Sequence, residues 1–417
     1  MPDVRHYDVV LIGGGVIGSS VAMALGERGL KTAVVDIDLS GRLSSSEKNA
    51  GGVRATWWQP VNITLCRASI KYYESVREEV GFRQKGYLWL YDAATWPKAE
   101  QHLALQRELG HPIEELDAAA VHRRVPEIDR LEGIAGATFS PEDGLINSNL
   151  LKEHYRSRSR ALGAEYLDRL YVHAIDAGES EVRIGCWRAN EALSDETLMR
   201  MMSQDRPEDR PEGRAEDGAA EAAAGQLIEI AADAVAITGG AWSPNALKLV
   251  GLKNLSEPIR RQICLVDTRA TDLSAYGMIV DTSGVYFHND GAYILAGYSP
   301  PEEPPGYHFH YDGEPFFMNE IWPRLYARMT AFERLRHVRG WAGLYEVSPD
   351  RSAIVGRAAP RVFEAHSFSG RGVMQSYGAG QALAELIATG RYQRFDASAL
   401  GRERFDRGAL VLEELHI

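Results

Sequence analysis

Apolar positions change their spacing along this chain, and the changes mark its elements. A short apolar run at 9–12 predicts a buried strand. Apolar residues at helical spacing follow to Arg28, and a second apolar run at 33–35 predicts another buried strand. Residues 44–60 are polar and glycine-rich and predict a loop. Ile63, Cys66, Ile70, Tyr73 and Val76 share one helical face, so 62–80 is predicted helical. Residues 86–91 alternate and carry aromatics, as a strand does. Helices are expected over 97–109, 117–124 and 149–162, with a strand and a turn over 135–146. Strand-like runs at 263–266, 278–280, 285–288 and 293–296, with few helices between them, predict an antiparallel sheet. Prolines 300, 301, 304 and 305 predict a rigid loop, and 320–332 a helix. A strand at 362–367 and a helix around 380–388 close the pattern. Residues 189–225 break it: the latter half is rich in Glu, Asp, Arg, Ala and Gly, buries little apolar surface, and is expected to be an exposed, disordered insertion.

The first strand, turn and helix carry a chemical signal. The strand enters Gly13-x-Gly15-x-x-Gly18, with Val16 and Ile17 opening the helix, and Asp36 ends the second strand 23 positions past Gly13. Gly13 allows the tight turn, Gly15 lets the backbone approach a pyrophosphate, and Gly18 lets the helix lie close to the sheet. The helix N-terminus offers unpaired N–H groups and the positive end of its dipole. Asp36 can accept hydrogen bonds from a ribose, and its charge disfavours the 2′-phosphate of NADP. Strand, glycine turn, helix, strand and acid in this order predict a dinucleotide site. A second strand-to-glycine turn, at 234–242, is not called for by a simple NAD dehydrogenase.

Composition narrows the class. The chain has 417 residues, enough for two lobes, and a net charge of −12 that disfavours nucleic acid. No run approaches 18 apolar residues, so no transmembrane helix is expected. The first strand begins near residue 7, so no signal peptide is expected. Three widely spaced cysteines, Cys66, Cys186 and Cys264, form neither a CxxC nor a disulfide framework. They are expected to be small buried residues in a reducing cytoplasm, and no metal site is expected.

Four pieces together resemble the D-amino-acid oxidase superfamily: GGGVIG near the start, GATFSPEDGLI (136–146), AITGGAWS (236–243), and WAGLYEVSPD with FSGRGVMQSYGAGQALAELI (341–350 and 368–387). The closing pieces are most similar to the branch of sarcosine oxidase, sarcosine dehydrogenase and glycine oxidase. The resemblance implies FAD rather than NAD. It implies an α/β, Rossmann-like FAD-binding domain interrupted in sequence (1–85, 145–250 and 336–417). An α+β substrate domain with a mostly antiparallel sheet (86–144 and 251–335) would cover the flavin. The implied reaction oxidises a C–N bond of an amino acid or N-methyl amine by hydride transfer to flavin N5, and the imine then hydrolyses.

The resemblance also assigns residues. Ser44, Ser45 and Lys48 match the loop that meets the phosphates and adenosine. Gly51, Gly52 and Arg54 match the loop near the isoalloxazine, where Arg54 would stabilise anionic reduced flavin. Val172 matches the strand that meets adenine, and Gly239 with Trp242 the middle turn. Gly370, Arg371, Gly372, Val373 and Met374 match the closing loop beside flavin O2. Gly343 stands where some sarcosine oxidases have the cysteine that links FAD covalently, so a non-covalent cofactor is implied. Tyr345, with Arg54, Trp57 and Tyr286, is the expected substrate contact, because a phenol can hydrogen-bond a carboxylate and an aromatic face can hold an ammonium. Leu295 and Met374 stand where oxidases of the branch have lysines, which favours an electron acceptor other than O2. Two other functions stay open: a flavin-binding subunit or assembly protein with partner subunits, and an NAD-dependent dehydrogenase.

Overall fold

The computed structural model describes residues 5–190, 193–203, 224–268 and 271–415. Two sheets organise them. The first runs in the order Ile354–Ala359, Val362–His366, Ala224–Ile237, Arg5–Ile12, Thr32–Val35 and Glu165–Leu167. The last five of these pair in parallel. Strands buried on both faces read as continuous apolar runs, and Thr32–Val35 is buried at every position. Leu170–Ala177 and Val182–Ala189 extend the sheet through antiparallel pairing with the first half of Ala224–Ile237.

Gly13 turns the chain out of the first strand at φ +107°, a backbone that side chains rarely adopt. Helix Val16–Gly26 follows. A Cβ at Gly18 would stand 1.9 Å from the Gly13 carbonyl oxygen, so only glycine permits this approach. The closing helix, Gly372–Thr389, lies against the first one. A Cβ at Gly380 would meet Ser20 Oγ at 2.4 Å, and one at Gly378 would meet the Leu65 carbonyl oxygen at 2.5 Å, on helix Pro60–Ser75. Both ends of the chain therefore build one lobe. This helix starts eight residues before the expected 380, because its first turns carry glycines that serve packing and hide the helical period.

The second sheet has the order Arg336–Val347, Glu257–Asp267, Tyr293–Tyr298, Tyr286–Asp290, Met278–Val280, Tyr87–Tyr91, Gly136–Ser140 and Glu114–Leu116. It is antiparallel except where Met278–Val280 runs parallel to Tyr87–Tyr91. Period two divides its faces. Cys264 and Val266 join an outer core with Phe316, Phe317 and Leu325. Ile263 and Leu265 join an inner core with Tyr87, Trp89, Tyr286 and Leu295.

Three expectations need correction. The expected boundary at 336 cuts off a strand that belongs to the second sheet. Arg336–Val347 pairs along the whole of Glu257–Asp267, and the chain returns to the first sheet only at Ile354. The helix expected over 320–332 is shifted: the helical stretch runs from Glu314 to Arg328, with a π turn (Phe317–Ile321) just before Pro323, which has no N–H to give, and the extended Met329 ends it. The insertion is not wholly irregular. Asp195–Ser203 is a helix whose Leu198 and Met201 are buried, because its apolar residues fall on one helical face, and the next strand begins at Ala224. Residues 204–223 lie outside the described residues.

Candidate functional site

An elongated cavity of about 1780 Å³, including its open mouth, lies where the carboxyl ends of the parallel strands meet the second sheet. Ile12, Val35, Ala365 and His366 reach it from the strand ends, as parallel sheets of this kind bind their ligands. The turns Gly13–Gly15 and Thr238–Gly240 form its floor.

One end is built largely from backbone. Asp36 is fixed by two N–H donors: Gly14 at 2.6 Å to Oδ2 and Asp38 at 2.9 Å to Oδ1. Burial raises the pKa of Asp36 against these hydrogen bonds. The loop after Asp36 folds over the turn. Ser46 Oγ accepts from the Val16 N–H at 3.0 Å, Ser44 Oγ from the Ser46 N–H at 3.1 Å, and Ser45 Oγ donates to the Leu344 carbonyl at 2.6 Å. Two cations from helix Ser148–Ala161 reach the same wall. Arg156 donates to the Gly14 carbonyl at 2.7 Å, and Lys152, paired with Glu47, has its pKa lowered by burial to about 8.

The other end is built from side chains of the second sheet. Arg261 pairs with Gly343 and Ile259 with Tyr345, so Arg261, Ile263, Gly343 and Tyr345 share the inward face. The Arg261 guanidinium carbon lies 5.4 Å from the Tyr345 ring centroid. Its Nη1 donates to the Arg260 carbonyl at 2.9 Å, while its Nε is buried with no partner among the described residues. The Tyr345 ring touches the closing turn: a Cβ at Gly370 would come within 2.5 Å of it, and Gly370 has φ +90°. Tyr286 completes this wall. Burial raises both phenol pKa values, so the hydroxyls stay protonated donors. Glu346, also on the wall, accepts from the Phe368 N–H at 3.3 Å, and burial raises its pKa from 4.5 to about 7. His366 stands 3.0 Å from Glu364. Burial opposes ionisation of Glu364, but Arg402 and His366 outweigh it and hold the pKa at about 2.

Comparison with known proteins settles the family. Residues 8–386 match the model of the FAD dependent oxidoreductase family (DAO). The chain belongs to this family of FAD dependent oxidoreductases. FAD dependent oxidoreductase domain-containing protein 1 of Xenopus laevis is 27% identical over 96% of this chain and 83% of its own length. Glycine oxidase of Bacillus licheniformis is 27% identical over 43% of this chain and 50% of its own. In structure, L-proline dehydrogenase from P. horikoshii superposes with a TM-score of 0.81 at 21% identity, covering 98% of this chain and all of that one. Glycine oxidase from Geobacillus kaustophilus gives 0.74 at 20%, covering 95% and 98%. The glycine turns are thus those of an FAD enzyme, and the NAD alternative falls away.

The cavity of this FAD dependent oxidoreductase fits its cofactor. At Gly15 an added Cβ would meet nothing nearer than Ser46 Oγ at 3.4 Å, so the missing side chain leaves room at the helix N-terminus for a pyrophosphate. Lys152 and Arg156 would supply positive charge beside it, and Asp36 would offer an acceptor for a ribose. Gly13, Gly15, Val16, Ile17, Asp36, Ser44, Ser45, Lys48, Val172, Gly239, Trp242, Gly343, Gly370, Gly372, Val373, Tyr286 and Tyr345 all line the cavity.

Seven expected residues stand behind the wall instead, among them Trp57, 3% exposed, whose Nε1 donates to the Arg54 carbonyl at 3.0 Å. Gly18 serves helix packing, and Gly51 and Gly52 press against Ile146 and Tyr87. Arg54 is 1% exposed. Its guanidinium carbon lies 3.5 Å from the Trp57 ring centroid and 4.3 Å from that of Trp89, and its donors go to the Thr56 and Leu415 carbonyls. Packing thus draws Arg54 away from the position expected of it. Arg371 is equally buried, 4.7 Å from Trp57, and burial lowers its pKa to about 10. Met374 packs into the core of the first lobe. The three cysteines are buried as expected, and none reaches the wall.

Arg261, Glu346, Lys152, Arg156, His366, Leu198 and Met202 were not expected on the wall. Strand parity could have found Arg261, which shares its face of the strand with Ile263 and Leu265. Nothing local marks the others. Among the described residues, no helix is long and apolar enough to cross a membrane.

Proposed function

We propose that this FAD dependent oxidoreductase oxidises the C–N bond of a small amino acid or secondary amine, sarcosine-, glycine- or proline-like, to an imine that water hydrolyses. The observation that carries the reading is the wall of Arg261, Tyr345 and Tyr286 facing the Gly370 turn. When bound, the flavin supplies the two-electron acceptor, taking the substrate's hydride. The chain supplies orientation. Arg261 pairs with the substrate carboxylate, the Tyr345 hydroxyl donates to it, and the aromatic faces exclude water and favour the amine. The names of the structural neighbours, L-proline dehydrogenase and glycine oxidase, support an amino-acid substrate. Leu295 is 4% exposed in the inner core beside Tyr286, and Met374 is buried, so neither position matched to an oxidase lysine offers a cation. This supports an acceptor other than O2.

The test is anaerobic mixing of the yellow protein with sarcosine, proline, glycine and D-amino acids. Bleaching of the flavin band by at least one of them is expected, and reoxidation by air should be slow. No bleaching across the panel would overturn the reading in favour of a flavin-binding subunit.

A further inference from the structure

We infer that helix Asp195–Ser203, inside the stretch whose sequence predicts a disordered insertion, is a cofactor-binding element. Leu198 and Met202, one helical turn apart, form an apolar wall for the adenine of FAD. The inference rests on the family's cofactor, not on the proposed substrate.

Three observations carry it. Leu198 and Met202 line the cavity and belong to the cluster that holds Leu43, Tyr171 and Ile37, the last next to the ribose acid Asp36 in sequence. Leu198 is 1% exposed and packs with Met201, Ile37 and Leu43, so the helix is seated on the loop that follows the ribose acid. Arg42 fastens it there. Its Nη1 meets Asp195 at 2.9 Å, its Nη2 donates to the Leu193 carbonyl at 2.6 Å, and its Nε meets Asp38 at 3.2 Å. Asp38 in turn donates its N–H to Asp36. At the far end, Asn245 Nδ2 donates to the Met202 carbonyl.

The chemistry selects the ring rather than the phosphates. The helix turns a leucine and a methionine, not a cation, towards the cavity, and a thioether is soft and polarisable enough to adapt to a flat purine. A helix of nine residues is marginal by itself in water, so its order comes from the surface it covers.

The test is the double variant Leu198→Gln/Met202→Gln in the full chain, titrated with FAD and with FMN, which has the flavin and one phosphate but no adenosine. FAD affinity should fall about tenfold, with FMN affinity unchanged. Asp195→Asn removes the ion pair with Arg42, leaving the bond from Arg42 to the Leu193 carbonyl, without touching the core. It should speed FAD release from the holoenzyme several-fold and leave FMN release unchanged. If FAD binding stays as in the wild type, or FAD and FMN weaken alike, the helix does not hold adenine and the inference fails. Both readouts are of binding, so a wrong substrate leaves the result intact.

Discussion

The two ends of the cavity are made by different means. At the phosphate end most contacts are backbone groups and small hydroxyls placed by glycine turns between Gly13 and Ser46, joined by Lys152 and Arg156 from a distant helix. At the substrate end they are side chains from strands some eighty residues apart, brought together by register: Arg261 opposite Gly343 and Ile259 opposite Tyr345. A site built from backbone tolerates almost no change where a Cβ would intrude. A site built from side chains can change its ligand one residue at a time.

The comparison can be broken most severely at the glycines. Gly18→Val places carbon where the Gly13 carbonyl stands and should cost about 3 kcal/mol or more, seen as loss of soluble protein or a large drop in Tm. Gly15→Val, whose new atoms enter the cavity rather than the backbone, should fold yet lose FAD. A variant with normal flavin content would show that the phosphate end is misplaced.

At the other end, Arg261→Gln should leave flavin content normal and raise KM for a carboxylate substrate about 10- to 100-fold, the loss of a charged hydrogen bond. KM for the matching amine without a carboxylate should not move. Equal effects on both would mean that Arg261 shapes the wall without binding the acid.

Glu346 gives a finer contrast through pH. Its folded pKa of about 7 exceeds its ordinary 4.5, so the folded protein binds this proton more tightly than the unfolded chain. The stability it contributes is complete below about 4.5, declines as pH rises from there through about 7, and is gone above. Glu346→Gln should flatten the fall of Tm across that window. The flattening should be partial, because Asp143, buried and also raised to about 7, contributes in the same direction. An unchanged profile would show that Glu346 does not titrate there. The smallest effect belongs to Ser45→Ala, which removes the 2.6 Å hydrogen bond to Leu344 and should cost about 1 kcal/mol of stability.

The sequence by itself determined the glycine turn and the acid of the phosphate end, though not its cations Lys152 and Arg156. A glycine at each of three spaced positions and an acid after the next strand are local requirements, and local requirements are written in consecutive residues. It determined most strands of the second sheet as well, because period two is visible in a short window. Tertiary structure decided the rest. Whether an arginine faces a ligand depends on what packs on it: Arg54 is held between Trp57 and Trp89 behind the wall, while Arg261 lines the cavity. The inserted helix gains its place from Arg42 and the Ile37–Leu43 surface, contacts about 150 residues distant in sequence. Such placements are settled when the chain closes on itself, since the free energy that fixes them comes from burial against remote residues rather than from the residues' own spacing.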